Sequence, residues 1–95
     1  MPRTPVHPGE ILADELEEAG LSAAALARAI GVPGNRLSQI IAGRRGITAD
    51  TALRLARYFG TSAEMWMNLQ KTYELDRART TIGSALDALP QRPAP

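Results

Sequence analysis

Two carboxamides, a guanidinium and a hydroxyl crowd into one short stretch of the chain: Asn35, Arg36, Ser38 and Gln39. Asn35 and Gln39 are four residues apart, which puts both on one face of a helix. Each carboxamide can pair in bidentate fashion with adenine, and Arg36 can do the same to guanine or grip a phosphate. With Val32, Leu37, Ile40 and Ile41 turned toward a core, the outward set is Pro33, Gly34, Asn35, Arg36, Ser38 and Gln39. Pro33 and Gly34 open that helix. Polar side chains of these types also cover ordinary solvated surface, so it is their position that points to base edges. Arg44 and Arg45 follow, bracketed by Gly43 and Gly46. Guanidinium forks suit phosphate oxygens and glycines allow close backbone approach, although a solvated turn has the same composition. Ser22 and Ala23 begin an earlier helix, whose free N–H groups offer a second place for a phosphate.

Those side chains need a scaffold to aim them, and Ser22 to Ala42 supplies it. The stretch reads as two short helices joined by a tight turn, with Leu26 and Ile30 on one apolar stripe and Leu37, Ile40 and Ile41 on another. Gly31 sits where the first must stop and the chain must take positive φ. Ser22 is a good N-cap, and Ala27 is small where the two helices cross. This is the spacing of a helix-turn-helix.

Around that pair the expected fold is all-α with five helices and a C-terminal tail that is either a short extra helix or a segment that orders on a partner. A first helix runs from Pro8 to Ala19, with Ile11, Leu12 and Leu16 on its apolar stripe and Gly20 beyond its end. Thr48 caps a fourth helix to Phe59, with Leu53, Leu55, Ala56 and Phe59 available for burial. A fifth runs from about Ala63 to Ala78, capped by Thr61 with Glu64 or by Ser62, and puts Trp66, Leu69 and Tyr73 on one face. The organisation is a flexible arm over residues 1–6, a single domain over 7–78, and a tail over 79–95. Ile82, Leu86 and Leu89 are helically spaced in the tail before its last prolines.

The chain has 95 residues, no cysteine and a net charge of +1, so it forms one small domain with no disulfide, thiolate metal site or cysteine nucleophile. It has no apolar run of membrane-spanning length and no secretory core at its N-terminus, so a cytoplasmic protein is the expectation. The charge is unevenly placed. Glu10, Asp14, Glu15, Glu17 and Glu18 make one end acidic, whereas Arg28, Arg36, Arg44, Arg45, Arg54 and Arg57 face Asp50 alone. All the basic residues but Lys71 are arginines, which coding bias could produce, so their placement is the better evidence. For Arg54 and Arg57 a plain surface role serves as well. His7, the single histidine, has no matched carboxylate or cysteine and reads as structural. No nucleophile–base pair, metal cluster or phosphate loop is present, so neither catalysis nor a cofactor is expected. Glu17 and Glu18 stand at the wrong end of their helix for its macrodipole, which leaves a wetted face or a docking surface for a basic protein. Met65, Trp66, Leu69 and Tyr73 can serve the core, a dimer interface, or both.

At this point the residues resemble a known family. His7-Pro8-Gly9-Glu10-Ile11-Leu12, the helix-turn-helix, and the run Gly46 to Ala56 are similar to the HigA antitoxins of bacterial toxin–antitoxin modules. Tyr58 to Ser62 and Trp66-Met67-Asn68-Leu69-Gln70 match the same pattern, so the likeness covers His7 to Tyr73. The resemblance implies an Xre/Cro-like (lambda-repressor-like) DNA-binding domain that dimerises on a palindromic operator and represses its own operon. It also implies a partner, a small basic HigB/RelE-like ribonuclease toxin, for which Glu17 and Glu18 are the candidate contacts. Two rivals stay open on sequence alone: a stand-alone Xre-type regulator without a toxin, and a protein-binding module for which DNA is incidental.

Overall fold

The computed structural model describes residues 4–94. His7 starts the first helix in a way its isolation in the sequence did not suggest. Its Nδ1 accepts from the Gly9 N–H at 2.9 Å, while Glu10 Oε2 accepts from the His7 N–H at 3.1 Å. This reciprocal box satisfies two donors that a bare helix end leaves orphaned. His7 is therefore structural, as expected, and α1 spans Pro8–Ala19.

Four more helices follow: α2 Ala23–Ile30, α3 Arg36–Ile41, α4 Ala49–Phe59 and α5 Ala63–Ile82, then one 3-10 turn at Gly83–Ala85. Among the described residues there is no strand, and no helix is long and apolar enough to cross a membrane. Ser22, Thr48 and Ser62 cap α2, α4 and α5 through their hydroxyls; Thr61 is not the cap. Thr61 instead accepts from the Trp66 indole N–H at 3.2 Å.

Every helix contributes to one core, made of Leu12 and Leu16, Leu26 and Ala27, Leu37 and Ile40, Ala52 and Leu55, and Trp66, with Ile47 from the loop before α4. α1 lies on α3, α2 on both α3 and α4, and α5 on α4 and α1. The α1–α3 contact is backbone to backbone: a β-carbon on Gly9 would overlap the Ile40 carbonyl. Only glycine lets the two helices close to that distance.

Two expectations are corrected here. Leu53 is 62 % exposed rather than buried, because the inward side of α4 is set by Thr51, Ala52, Leu55 and Ala56. α5 continues past Ala78 to Ile82, since Thr80 and Thr81 hydroxyls donate back to the Asp76 and Arg77 carbonyls and nothing breaks the helix before Gly83. Past that glycine the tail makes one 3-10 turn, and Ile82, Leu86 and Leu89 stay exposed. Residues 1–3 of the expected arm lie outside the described residues.

Candidate nucleic-acid interface

α3 is only six residues long, and its register decides which tips leave the protein. Leu37 and Ile40 are fully buried beneath it. The opposite side carries Asn35, Ser38, Gln39 and Ala42, at the spacing of a single helical stripe. Asn35 and Ser38 are exposed and Gln39 half-buried. Asn35 is the N-cap residue but makes no side-chain cap bond, so its amide is left to face outward. The Ser38 hydroxyl donates to the Asn35 carbonyl at 3.0 Å and keeps its lone pairs as acceptors.

Pro33 and Gly34 do not open the helix. They form the exposed turn before it, where the Pro33 carbonyl accepts from the Arg36 N–H at 3.0 Å. Arg36 is the larger correction. In α3 it stands three residues before Gln39 and four before Ile40, on the flank between the outward stripe and the buried side. Its side chain is 26 % exposed, with Nη1 3.5 Å from Asp50 Oδ2 on α4. The sequence places it outward by setting aside the apolar Val32, Leu37, Ile40 and Ile41, and nothing in that sorting links it to Asp50, 14 residues on.

The far end of α3 delivers the arginine pair. With Gly43 at φ 76°, its N–H donates to the Ile40 carbonyl at 3.0 Å and the Arg44 N–H to the Gln39 carbonyl at 2.9 Å. That closure ties the loop to the reading helix, and Arg44 and Arg45 leave it exposed. Gln70, which no spacing argument singled out, locks the other side. Its Oε1 accepts from the Ile47 N–H at 2.7 Å inside the protein, and its Nε2 donates to Glu74 at 3.2 Å. Gly46 is glycine because a β-carbon there would press on that amide. The signal lay in the pair Gly46 and Gln70, too far apart in sequence to be linked without coordinates.

At the start of α2 the Ser22 hydroxyl accepts from the Ala25 N–H at 3.1 Å. The Ala23 and Ala24 N–H groups remain at the open, positive end of the helix, a fit for a phosphate oxygen. α2, the α3 stripe and the loop arginines thus supply the parts a duplex needs: base-edge donors and acceptors, with cations and N–H groups flanking them.

The remaining candidates divide. Trp66 is fully buried against the core, so of the roles open to it on sequence it takes the core and leaves the interface. Met65 and Leu69 are half-buried and line an open groove of about 510 Å³ with Val6, Asn68 and Thr72. Tyr73 lies edge-on to the His7 ring at 4.7 Å, with its hydroxyl accepting from Arg77 at 3.1 Å. Trp66, Leu69 and Tyr73 thus share the inward face of α5, as expected, with Leu69 at the groove and Tyr73 against His7. Glu17 and Glu18 are exposed at the end of α1. Among the described residues no group of histidines and carboxylates could hold a metal ion.

Residues 12–66 match the helix-turn-helix family HTH_3. Virulence-associated protein I of Dichelobacter nodosus is 55 % identical over 74 residues, covering 77 % of this chain and 68 % of that protein. A HigA-family addiction module antidote protein from Coxiella burnetii superposes with a TM-score of 0.90 at 44 % identity, over 96 % of this chain and 100 % of its own. Antitoxin HigA of Pseudomonas aeruginosa, solved with the higBA promoter, gives 0.89 at 47 % identity over the same shares, 96 % and 100 %.

Proposed function

This chain belongs to the helix-turn-helix family of HigA antitoxins, and from that premise we propose that it binds its own operator and represses its own operon. The observation that carries the reading is the Asn35–Ser38–Gln39 stripe, aimed away from a buried Leu37 and Ile40 and followed at once by two exposed arginines. Asn35, Ser38 and Gln39 read base edges in the major groove, while Arg44, Arg45 and the start of α2 at Ser22 and Ala23 hold the phosphates. The solved complex of the Pseudomonas antitoxin with promoter DNA supports operator binding by this fold.

A six-residue reading helix spans too few base pairs to select one site in a genome. Two copies, as a homodimer, would place their reading helices about 34 Å apart over an inverted repeat. The groove bounded by Met65 and Leu69 is the proposed contact between copies. The remaining role is that of an antitoxin in the cytoplasm, neutralising a small basic ribonuclease toxin, with Glu17 and Glu18 as its contact.

A mobility-shift series on the protein's own promoter tests the DNA reading. Gln39→Ala should relax preference at one base position by about 1–3 kcal/mol. Equal losses on promoter and scrambled DNA would remove Gln39 from the readers. Co-expression with the neighbouring reading frame tests the toxin. Capture of a small basic protein, lost in Glu17→Lys/Glu18→Lys, is the expected result, and no capture favours a stand-alone regulator.

A further inference from the structure

Among the reader candidates Arg36 is half-buried and ion-paired to another helix, and a relay across three helices holds it there. Arg54 Nη1 donates to the Ile30 carbonyl at 2.7 Å and the Gly31 carbonyl at 3.3 Å, which fixes that guanidinium on the end of α2. Its Nε donates to Asp50 Oδ2 at 3.0 Å, and the same carboxylate oxygen faces Arg36 on α3. Arg36 Nε is buried with no acceptor. A long cationic side chain left to itself extends into water and satisfies every donor. This one forgoes a hydrogen bond to lie against α4, so the counter-charge of Asp50 must be what keeps it.

We infer that Asp50 is a specificity-determining positioning residue: it detains the Arg36 guanidinium beside α4, so that operator choice rests on the tips of Asn35, Ser38 and Gln39. The inference rests on the operator-binding reading above. Arg45 lines the same cleft as Arg36 and Asp50, so a released Arg36 emerges beside a second guanidinium. A freed arginine adds one contact that any phosphate can take. On the operator the register set by Asn35, Ser38 and Gln39 fixes which phosphates it can reach, whereas on other DNA the protein can shift to meet one, so the contact tightens scrambled duplexes more than the promoter and dilutes preference.

The test is fluorescence anisotropy on the promoter duplex and on a scrambled duplex of equal length, across a salt series. Wild-type protein comes first: equal binding to both sinks the operator reading, whatever Asp50 does. Given a preference, Asp50→Asn should tighten scrambled binding roughly five- to tenfold near 0.1 M salt and steepen its salt slope by about one. Adding Arg36→Gln should restore the wild-type slope, and adding Arg54→Gln should not, which separates the two arginines. Asp50→Glu keeps the charge and should keep the preference. Scrambled binding by Asp50→Asn that is unchanged or weaker overturns the inference, provided the melting curve shows a folded protein. Should that variant not fold, Arg36→Gln alone decides. An unchanged slope on scrambled DNA upholds detention, and a slope flattened by about one shows that Arg36 already grips phosphate.

Discussion

The shortest helix and the longest are held in opposite ways. α5 has 20 residues, its own Ser62 cap and intrahelical bonds along its length, and from Arg77 onward no residue is buried. α3 has six residues and no side-chain cap, a length at which an isolated helix does not persist in water. Yet α3 is the one positioned from all sides: Gly9 beneath it, Asp50 beside its start, and the loop clamped by Gln70 beyond its end. Helix stability and helix placement are thus separate achievements. The segment with the least local stability has the most tertiary support, because side-chain tips must meet base edges within a fraction of an ångström.

The contrast can be broken first at Trp66, the fully buried anchor of α5 in the core. Trp66→Ala should cost about 3–5 kcal/mol in denaturant unfolding, by emptying the site beneath Phe59 and the Thr61 hydroxyl. Next, Gln70→Ala should destabilise by about 1–3 kcal/mol by orphaning the buried Ile47 N–H. It should also weaken promoter binding more than that stability loss explains, since the Arg44–Arg45 loop loses its anchor; binding that follows stability alone would separate clamp from interface. Arg44→Ala leaves stability untouched and should flatten the salt slope on all DNA by up to about one. At the small end, Leu86→Ala and Leu89→Ala should each change stability by less than about 0.5 kcal/mol in the isolated protein, read from the same unfolding curves. A larger loss there would mean that the tail beyond α5 is covered by a second copy.

Local chemistry was legible and distant contacts were not. Pro8 and Gly20 bracket α1 as they do in the sequence, and Ser22, Gly31 and Thr48 all act where their types suggest. Asn35, Ser38 and Gln39 point outward because helical periodicity is enough to sort them from Leu37 and Ile40. Periodicity failed at Arg36 because its direction is set by Asp50, on another helix, and at Leu53 because α4 meets α2 and α5 on only one side. Gln70 was invisible for the same reason: a single glutamine has no spacing, and its partner Ile47 lies 23 residues away. The start of α3 was misplaced by the Pro33–Gly34 pair, which suits a helix start and a turn alike.

The contact at Gly9 sets terms for anyone wishing to retarget this scaffold to a new operator. Where two main chains touch with no room for a methyl group, the pitch of the upper rod cannot be trimmed by exchanging residues under it. New preferences have to be sought at the tips alone, in combinatorial libraries at 35, 38 and 39, with position 9 left out of the randomisation.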